Sequence, residues 1–221
     1  MGLAIAKLAF EDGAKVVIGS RSPEKLAAAA KEIGGGVAVH PIDTTQLDSI
    51  TGFFQSVGEV DHLIISGSEV KEGKFREISI EDAQNSMQSK FWGPFLAVRA
   101  AKIKEGGSIV LFSGAASRKP ASGAAIVTVV NAAIEAFAKV LAAELAPVRV
   151  NVVSPGLVEG TGAYSRMPEA ERAAMFKNAG EKLPVRRVGT PDDIAQATMF
   201  LLTNEYVTGT VLDVEGGALV S

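Results

Sequence analysis

Residues 127–156 read VTVVNAAIEAFAKVLAAELAPVRVNVVSPG. The stretch predicts a long apolar helix, a short strand over Val148 to Val153, and a turn at Pro155-Gly156. A helix leading directly into a short strand fits a parallel sheet covered by helices.

The same alternation continues outward from this unit. Gly2 to Asp12 reads as helix, Lys15 to Ile18 as a short buried strand, and Pro23 to Ile33 as a helix ended by Gly34-Gly35-Gly36. Val37 to Ile42 is strand-like, Thr45 to Ser56 helical, and His62 to Ile65 another buried strand. Ser79 followed by Asp82 resembles a capping box for a helix running past Trp92 towards Lys102, with the next strand at Ile109 to Phe112. Thr190-Pro191-Asp192-Asp193 supplies a hydroxyl cap, a proline that needs no N–H partner, and acidic groups at the positive end of a helix. Val211 to Val214 closes the sheet. Strands alternating with helices in this way predict a single α/β domain over residues 1–221, a doubly wound parallel sheet with helices on both faces.

Composition narrows the functions. With 221 residues, 47% of them hydrophobic and 21% charged, the chain can bury a sizeable core. A net charge of −3 without a basic run gives no reason to expect nucleic acid. The absence of cysteine rules out disulfides, thiol catalysis and thiolate metal sites. His40 and His62 are far apart without ligand-like spacing, so no metal site is expected. No apolar run is expected to span the roughly 20 residues that cross a bilayer. Lys7, Glu11 and Asp12 interrupt the short apolar N-terminus, which is therefore no signal peptide, and Ala6 stands at the Ser/Thr position of a myristoylation motif. The default expectation is a soluble cytoplasmic protein.

Asn131-Ala132-Ala133, Phe137, Arg149-Val150-Asn151 and Pro155-Gly156 resemble, in order and spacing, the segment of short-chain dehydrogenases/reductases that carries a Tyr-x-x-x-Lys pair. The likeness runs from Gly2 to Gly216-Gly217. It implies a Rossmann-like fold and an NAD(P)-dependent oxidoreductase acting on CH–OH or C=O groups.

That family opens with a strand and a Thr-Gly-x-x-x-Gly-x-Gly turn before its first helix. Here the helix comes first, and Gly2 corresponds to the last glycine of the turn. The first strand, central in the family's sheet, is absent from the sequence. Four or so buried aliphatic residues would be lost with it, about 6–12 kcal/mol against a whole-domain stability of about 5–15 kcal/mol. The expectation is either a chain that begins upstream or a gap filled by rearrangement or by another subunit.

By resemblance, several residues face a dinucleotide. Ser20 and Arg21 stand where NAD-preferring relatives carry an acid, and Arg21 could pair with a 2′-phosphate, which implies NADP over NAD; the alternative is a solvated arginine at a helix start. Asp43 matches the aspartate that meets adenine, and it or Thr44 could equally cap the following helix. Ser66 and Gly67 lie within Ile65-Ser66-Gly67-Ser68, which replaces Asn-Asn-Ala-Gly, and Pro155-Gly156 matches the turn beside the nicotinamide. Gly160 falls where a threonine is common, with Thr161 one residue later.

The family's catalytic residues are Ser, Tyr, Lys and Asn. The resemblance assigns the tyrosine place to Val127, the lysine place to Asn131 and the serine place to Gly114, with Ser113 one residue early. Lys90 stands where the family has Asn, so Lys and Asn have exchanged places. Lys90 could therefore bring a cation to the pocket from another helix, or it could simply extend to solvent. Of the two tyrosines, Tyr206 reads as structural and Tyr164 lies in segment 157–188, which matches a substrate lid. Loss of a positioned acid costs about 10²–10⁴-fold in rate. Two readings follow: a divergent NADP(H)-linked oxidoreductase using Lys90, Ser113, Asn131 or Tyr164, or an inactive nucleotide- or metabolite-binding relative serving as sensor or subunit partner. The resemblance also implies a small-molecule ligand and a homo-oligomer, dimer or tetramer, through the helices near 79–102 and 123–146.

Overall fold

The computed structural model describes residues 1–165 and 167–221. Among the described residues eight α-helices and six strands follow in the order α1 (Gly2–Glu11), β1 (Val17–Ser20), α2 (Pro23–Ile33), β2 (Ala38–Pro41), α3 (Leu47–Val57), β3 (Glu59–Ile65), α4 (Ile80–Met87), α5 (Gly93–Ala100), β4 (Lys102–Phe112), α6 (Ala125–Glu144), β5 (Arg149–Pro155), α7 (Glu169–Lys182), α8 (Pro191–Thr203) and β6 (Val211–Val214). Every strand pairing is parallel. The fold is the expected Rossmann-like α/β arrangement, a parallel sheet with a core on each face.

Residue alternation along two strands makes both cores. Ile109 and Leu111 of β4, with Val150 and Val152 of β5, pack beneath Val98 of α5 and Ile134, Ala138 and Leu141 of α6. Val110, Phe112 and Val153 point the other way, onto Ile5 of α1 and Ile194 and Leu201 of α8. A third cluster seats Ile50 and Phe54 of α3 against Ala97. Because side chains in a strand alternate between faces, a run that is apolar throughout serves both layers.

The strands form two sheets, not one. β3-β4-β5-β6 make a four-stranded sheet, while β1-β2 pair alone. No strand among the described residues joins the free edge of β1 to that of β3, so the described chain does not rearrange to supply the missing central strand.

The expected continuous helix from Ser79 towards Lys102 is broken. Residues 88–92 form a π-helical turn between α4 and α5, in which the Gly93 N–H donates to the Gln88 carbonyl. Pro94 explains the break, since it has no N–H to offer the Lys90 carbonyl in an α-helical ladder. The helix ends at Ala100 and β4 begins at Lys102, which lengthens the strand expected at Ile109 to Phe112 to eleven residues.

A second expectation is corrected by α6. Its 20 residues are long and apolar enough, by length and composition, to cross a bilayer. Alanine supplies much of that apolarity, and one face carrying Val130, Ile134, Ala138 and Leu141 is buried, three of them in the core against β4 and β5.

Candidate active site

The residues singled out by sequence gather at the C-terminal ends of the strands, where open α/β sheets bind ligands. At the end of β4, Ser113 is buried, its N–H bonded to the Val153 carbonyl. The Lys90 amine reaches this strand end from the π turn and donates to the Ser113 carbonyl at 3.0 Å. Burial lowers its pKa to about 8, opposed by the field of the Glu135 carboxylate. Lys90 does not extend to solvent.

Asn131, buried on α6, donates through Nδ2 to the neighbouring Gly114 carbonyl at 3.3 Å. A Cβ on Gly114 would lie 3.0 Å from that Nδ2, so the amide fills space beside the residue the resemblance sets in the serine place. The Ser113 hydroxyl and the Asn131 carbonyl oxygen are both buried without a partner. Two such orphaned groups next to a buried amine are costly unless a ligand or water satisfies them. Val127 is partly buried one turn before Asn131 and offers no titratable group.

Tyr164 sits apart from these residues in its packing. Its ring stands edge-on to Phe176 of α7, centroids 5.5 Å apart, and burial raises its pKa, reinforced by the charge of Glu72. Segment 157–188 holds this pair and α7, and it rejoins the body through the Val158–Gly189 bridge. Thr161 spends its hydroxyl on the Val158 carbonyl.

A second group of the residues singled out follows β1, β2 and β3. Ser20 ends β1, and Arg21 just beyond it pairs with Glu69 at 3.2 Å, both side chains exposed. Asp43 accepts from the Thr45 N–H and hydroxyl at 2.9 and 2.7 Å, so its turn-forming role is filled; these bonds first, then Arg21, lower its pKa. Gly2 opens α1 so close to Ser66 that an added Cβ would lie 2.7 Å from its hydroxyl oxygen. Gly67 is exposed beside it. Gly156 follows β5 with its N–H on the Val214 carbonyl, and a Cβ there would meet Glu215 Cα at 2.8 Å. Among the described residues no group of acidic or histidine side chains could hold a metal ion.

One polar network escaped the sequence reading. Arg118 donates to Glu135 at 2.7 Å, to Ser154 at 2.7 Å and to Asp213, while Ser117 donates its hydroxyl proton to the other Glu135 oxygen at 2.7 Å and its N–H to the Gly114 carbonyl at 3.1 Å. A signal was present: Glu135 lies four residues after Asn131, one turn along the same face of the helix.

Comparison with known proteins gives one answer throughout. The family model described as enoyl-(acyl carrier protein) reductase matches residues 1–218. The short-chain dehydrogenase/reductase ATR9 of Stachybotrys chlorohalonatus is 31% identical, over 100% of this chain and 93% of its own. A crystallised small-chain dehydrogenase in complex with NADPH is 38% identical with a TM-score of 0.81, covering 94% of this chain and 100% of its own. The NADPH-bound short chain oxidoreductase of Pseudomonas aeruginosa PAO1, described as containing an atypical catalytic center, is 26% identical with a TM-score of 0.90, covering 98% of this chain and 91% of its own. The helix–strand–turn unit at 127–156, the doubly wound architecture and these full-length matches together place the chain in the short-chain dehydrogenase/reductase family.

Proposed function

We propose that the protein is an NADP(H)-linked oxidoreductase of CH–OH/C=O chemistry in which Lys90 takes over the proton-donating role of the family's tyrosine. The observation that carries this reading is the Lys90 amine, buried against the Ser113 carbonyl with its pKa lowered to about 8. An amine that titrates near neutrality is matched to proton transfer at working pH. The π turn that carries it supports the reading, since such turns recur at functional sites.

The residues that would hold a dinucleotide fall into two groups, one after β1, β2 and β3 and one after β5. Arg21 would hold the 2′-phosphate and Asp43 the adenine ring, with Gly2, Ser20, Ser66 and Gly67 lining the approach and Pro155-Gly156 beside the nicotinamide. Bound NADPH supplies the hydride. The protein's own task is to orient the carbonyl, which falls to the unpartnered Ser113 hydroxyl and the second Nδ2 proton of Asn131, and to protonate the resulting oxygen from Lys90. Tyr164, held against Phe176, would close the pocket with segment 157–188. Two relatives solved with NADPH, one described as atypical at its catalytic center, support cofactor and departure alike.

A second reading, binding without turnover, is favoured by Val127 and by the Asn131 amide being engaged with the Gly114 carbonyl. Titrating NADPH into the protein by fluorescence and then screening carbonyl substrates separates the two. Turnover that falls about 10²–10⁴-fold in Lys90→Met, with NADPH affinity kept, supports the first; binding with no turnover on any carbonyl supports the second. The same proposal includes a homo-oligomer through α4 and α6, where Ile80, Ala83, Met87, Trp92 and Ile126 line a surface groove of about 380 Å³. Light scattering on the purified chain tests it, and a monomer at all concentrations would refute it.

A further inference from the structure

The Arg118–Glu135 network has no role in cofactor binding as described above, yet it adjoins the Lys90 site on every side. Ser113 and Gly114 are consecutive: Lys90 holds the first carbonyl, while Asn131 and the Ser117 N–H hold the second. Ser117 passes the connection to Glu135, and Arg118 ties Glu135 to Ser154 at the end of β5 and Asp213 on β6. Loop 113–118 is thus fastened to α6, β5 and β6 by one guanidinium. The Glu135 side chain is 13% exposed and that of Arg118 32%, so water weakens the pair little.

We propose, on the reading that Lys90 is the functional cation, that Glu135 and Arg118 are positioning residues for it: Glu135 is the counter-charge of the Lys90 ammonium, and Arg118 fixes the carboxylate and moderates its pull. The other charged groups on the elements packed against the π turn are poorly placed for this task. Glu81 and Asp82 lie at the far end of α4, and Arg99 on α5 and Lys139 and Glu144 on α6 are exposed. Among the described groups, Glu135 is the acid whose field acts on Lys90.

The test is the titration of the Lys90 side chain in full-length protein carrying ¹³C-labelled lysine, the signal assigned by its loss in Lys90→Met. The wild-type midpoint is expected at about 8, lowered by burial of the amine. Glu135→Gln removes the counter-charge and shifts the midpoint down by about one unit, while Arg118→Met frees the carboxylate and shifts it up by a similar amount. Opposite shifts are the signature. A purely structural brace would let water in when either residue is lost, moving both midpoints up, and that result overturns the inference, as does no movement in either variant. If Glu135→Gln fails to fold, Glu135→Asp takes its place: the shorter side chain holds the carboxylate farther from the amine, so a midpoint below wild type is expected, and an unchanged or raised one overturns the inference. A wild-type midpoint at the ordinary lysine value would instead remove the reading of Lys90 itself, and the brace with it.

Discussion

A buried amine reports its situation through pH. Lys90 has its pKa lowered to about 8 by desolvation, against an ordinary value of 10.5. The unfolded chain therefore holds the proton between these two values while the folded chain has released it, so stability rises with pH across that window. At about 1.4 kcal/mol per unit the gain is up to ~3 kcal/mol. Urea unfolding of wild type and Lys90→Met at pH 7.5 and 9.5 should show the rise in the first and its absence in the second; equal slopes would mean that the amine is solvated. Catalysis moves the opposite way. Carbonyl reduction needs the protonated amine, so turnover should fall as pH passes about 8, and a rate indifferent to pH up to 10 would exclude Lys90 as the acid. Lys90 was legible in the sequence because a local frame, the helix around Met87 to Phe91, placed it. Arg118 was not, because its partners lie 17, 36 and 95 residues away in sequence and only the sheet brings them together.

Elements with local signals formed where the residues said they would. Thr190 accepts from the Asp193 N–H while Asp193 accepts from the Thr190 N–H, a complete capping box, and Arg187 grips the same carboxylate with both terminal nitrogens. Ser22 and Ser79 cap α2 and α4 in the simpler way, through one hydroxyl each. Thr190→Ala leaves the Asp193 N–H without its partner at the start of the helix that buries Ile194 and Leu201, and should cost about 1 kcal/mol. Thermal unfolding measures this, and a melting point unchanged within error would show the cap to be redundant with the Arg187 grip. The element the sequence misjudged was the one under tertiary demand. Pro94 after Gly93 was visible, yet a proline inside an apolar helical pattern can kink, end or widen the helix. The packing of Phe91, Phe95 and Phe137 around the turn, with Phe95 and Phe137 stacked 5.4 Å apart, accompanies the widened form.

Across the whole molecule, stability is unevenly shared. The four-stranded sheet has buried residues with no exposure at all on both faces, among them Val110, Leu111, Val150, Val152 and Val153. The β1–β2 pair has Val17 at 39% and Val39 at 40% exposure, and an isolated two-stranded pair is marginal in water. The separation into two sheets follows from sheet pairing that no local pattern encodes. Arg21 and Asp43, the residues proposed for the adenosine end of NADP(H), follow the two strands of the weaker pair, while Lys90, Ser113 and Asn131 stand on the stronger sheet and its helices. Hydrogen exchange should divide along this line. The amides of Ala38 and Ile42, bonded to the Val16 and Ser20 carbonyls, should exchange about a hundredfold or more faster than those of Val152 and Ser113. NADPH, bound across both parts, should slow the first set far more than the second, because ligand binding most strongly suppresses the openings that destroy its site. Equal protection of the two sets without cofactor would show instead that the two sheets open as one unit, and the proposed division of the cleft into a labile nucleotide end and a rigid chemical end would fall with it.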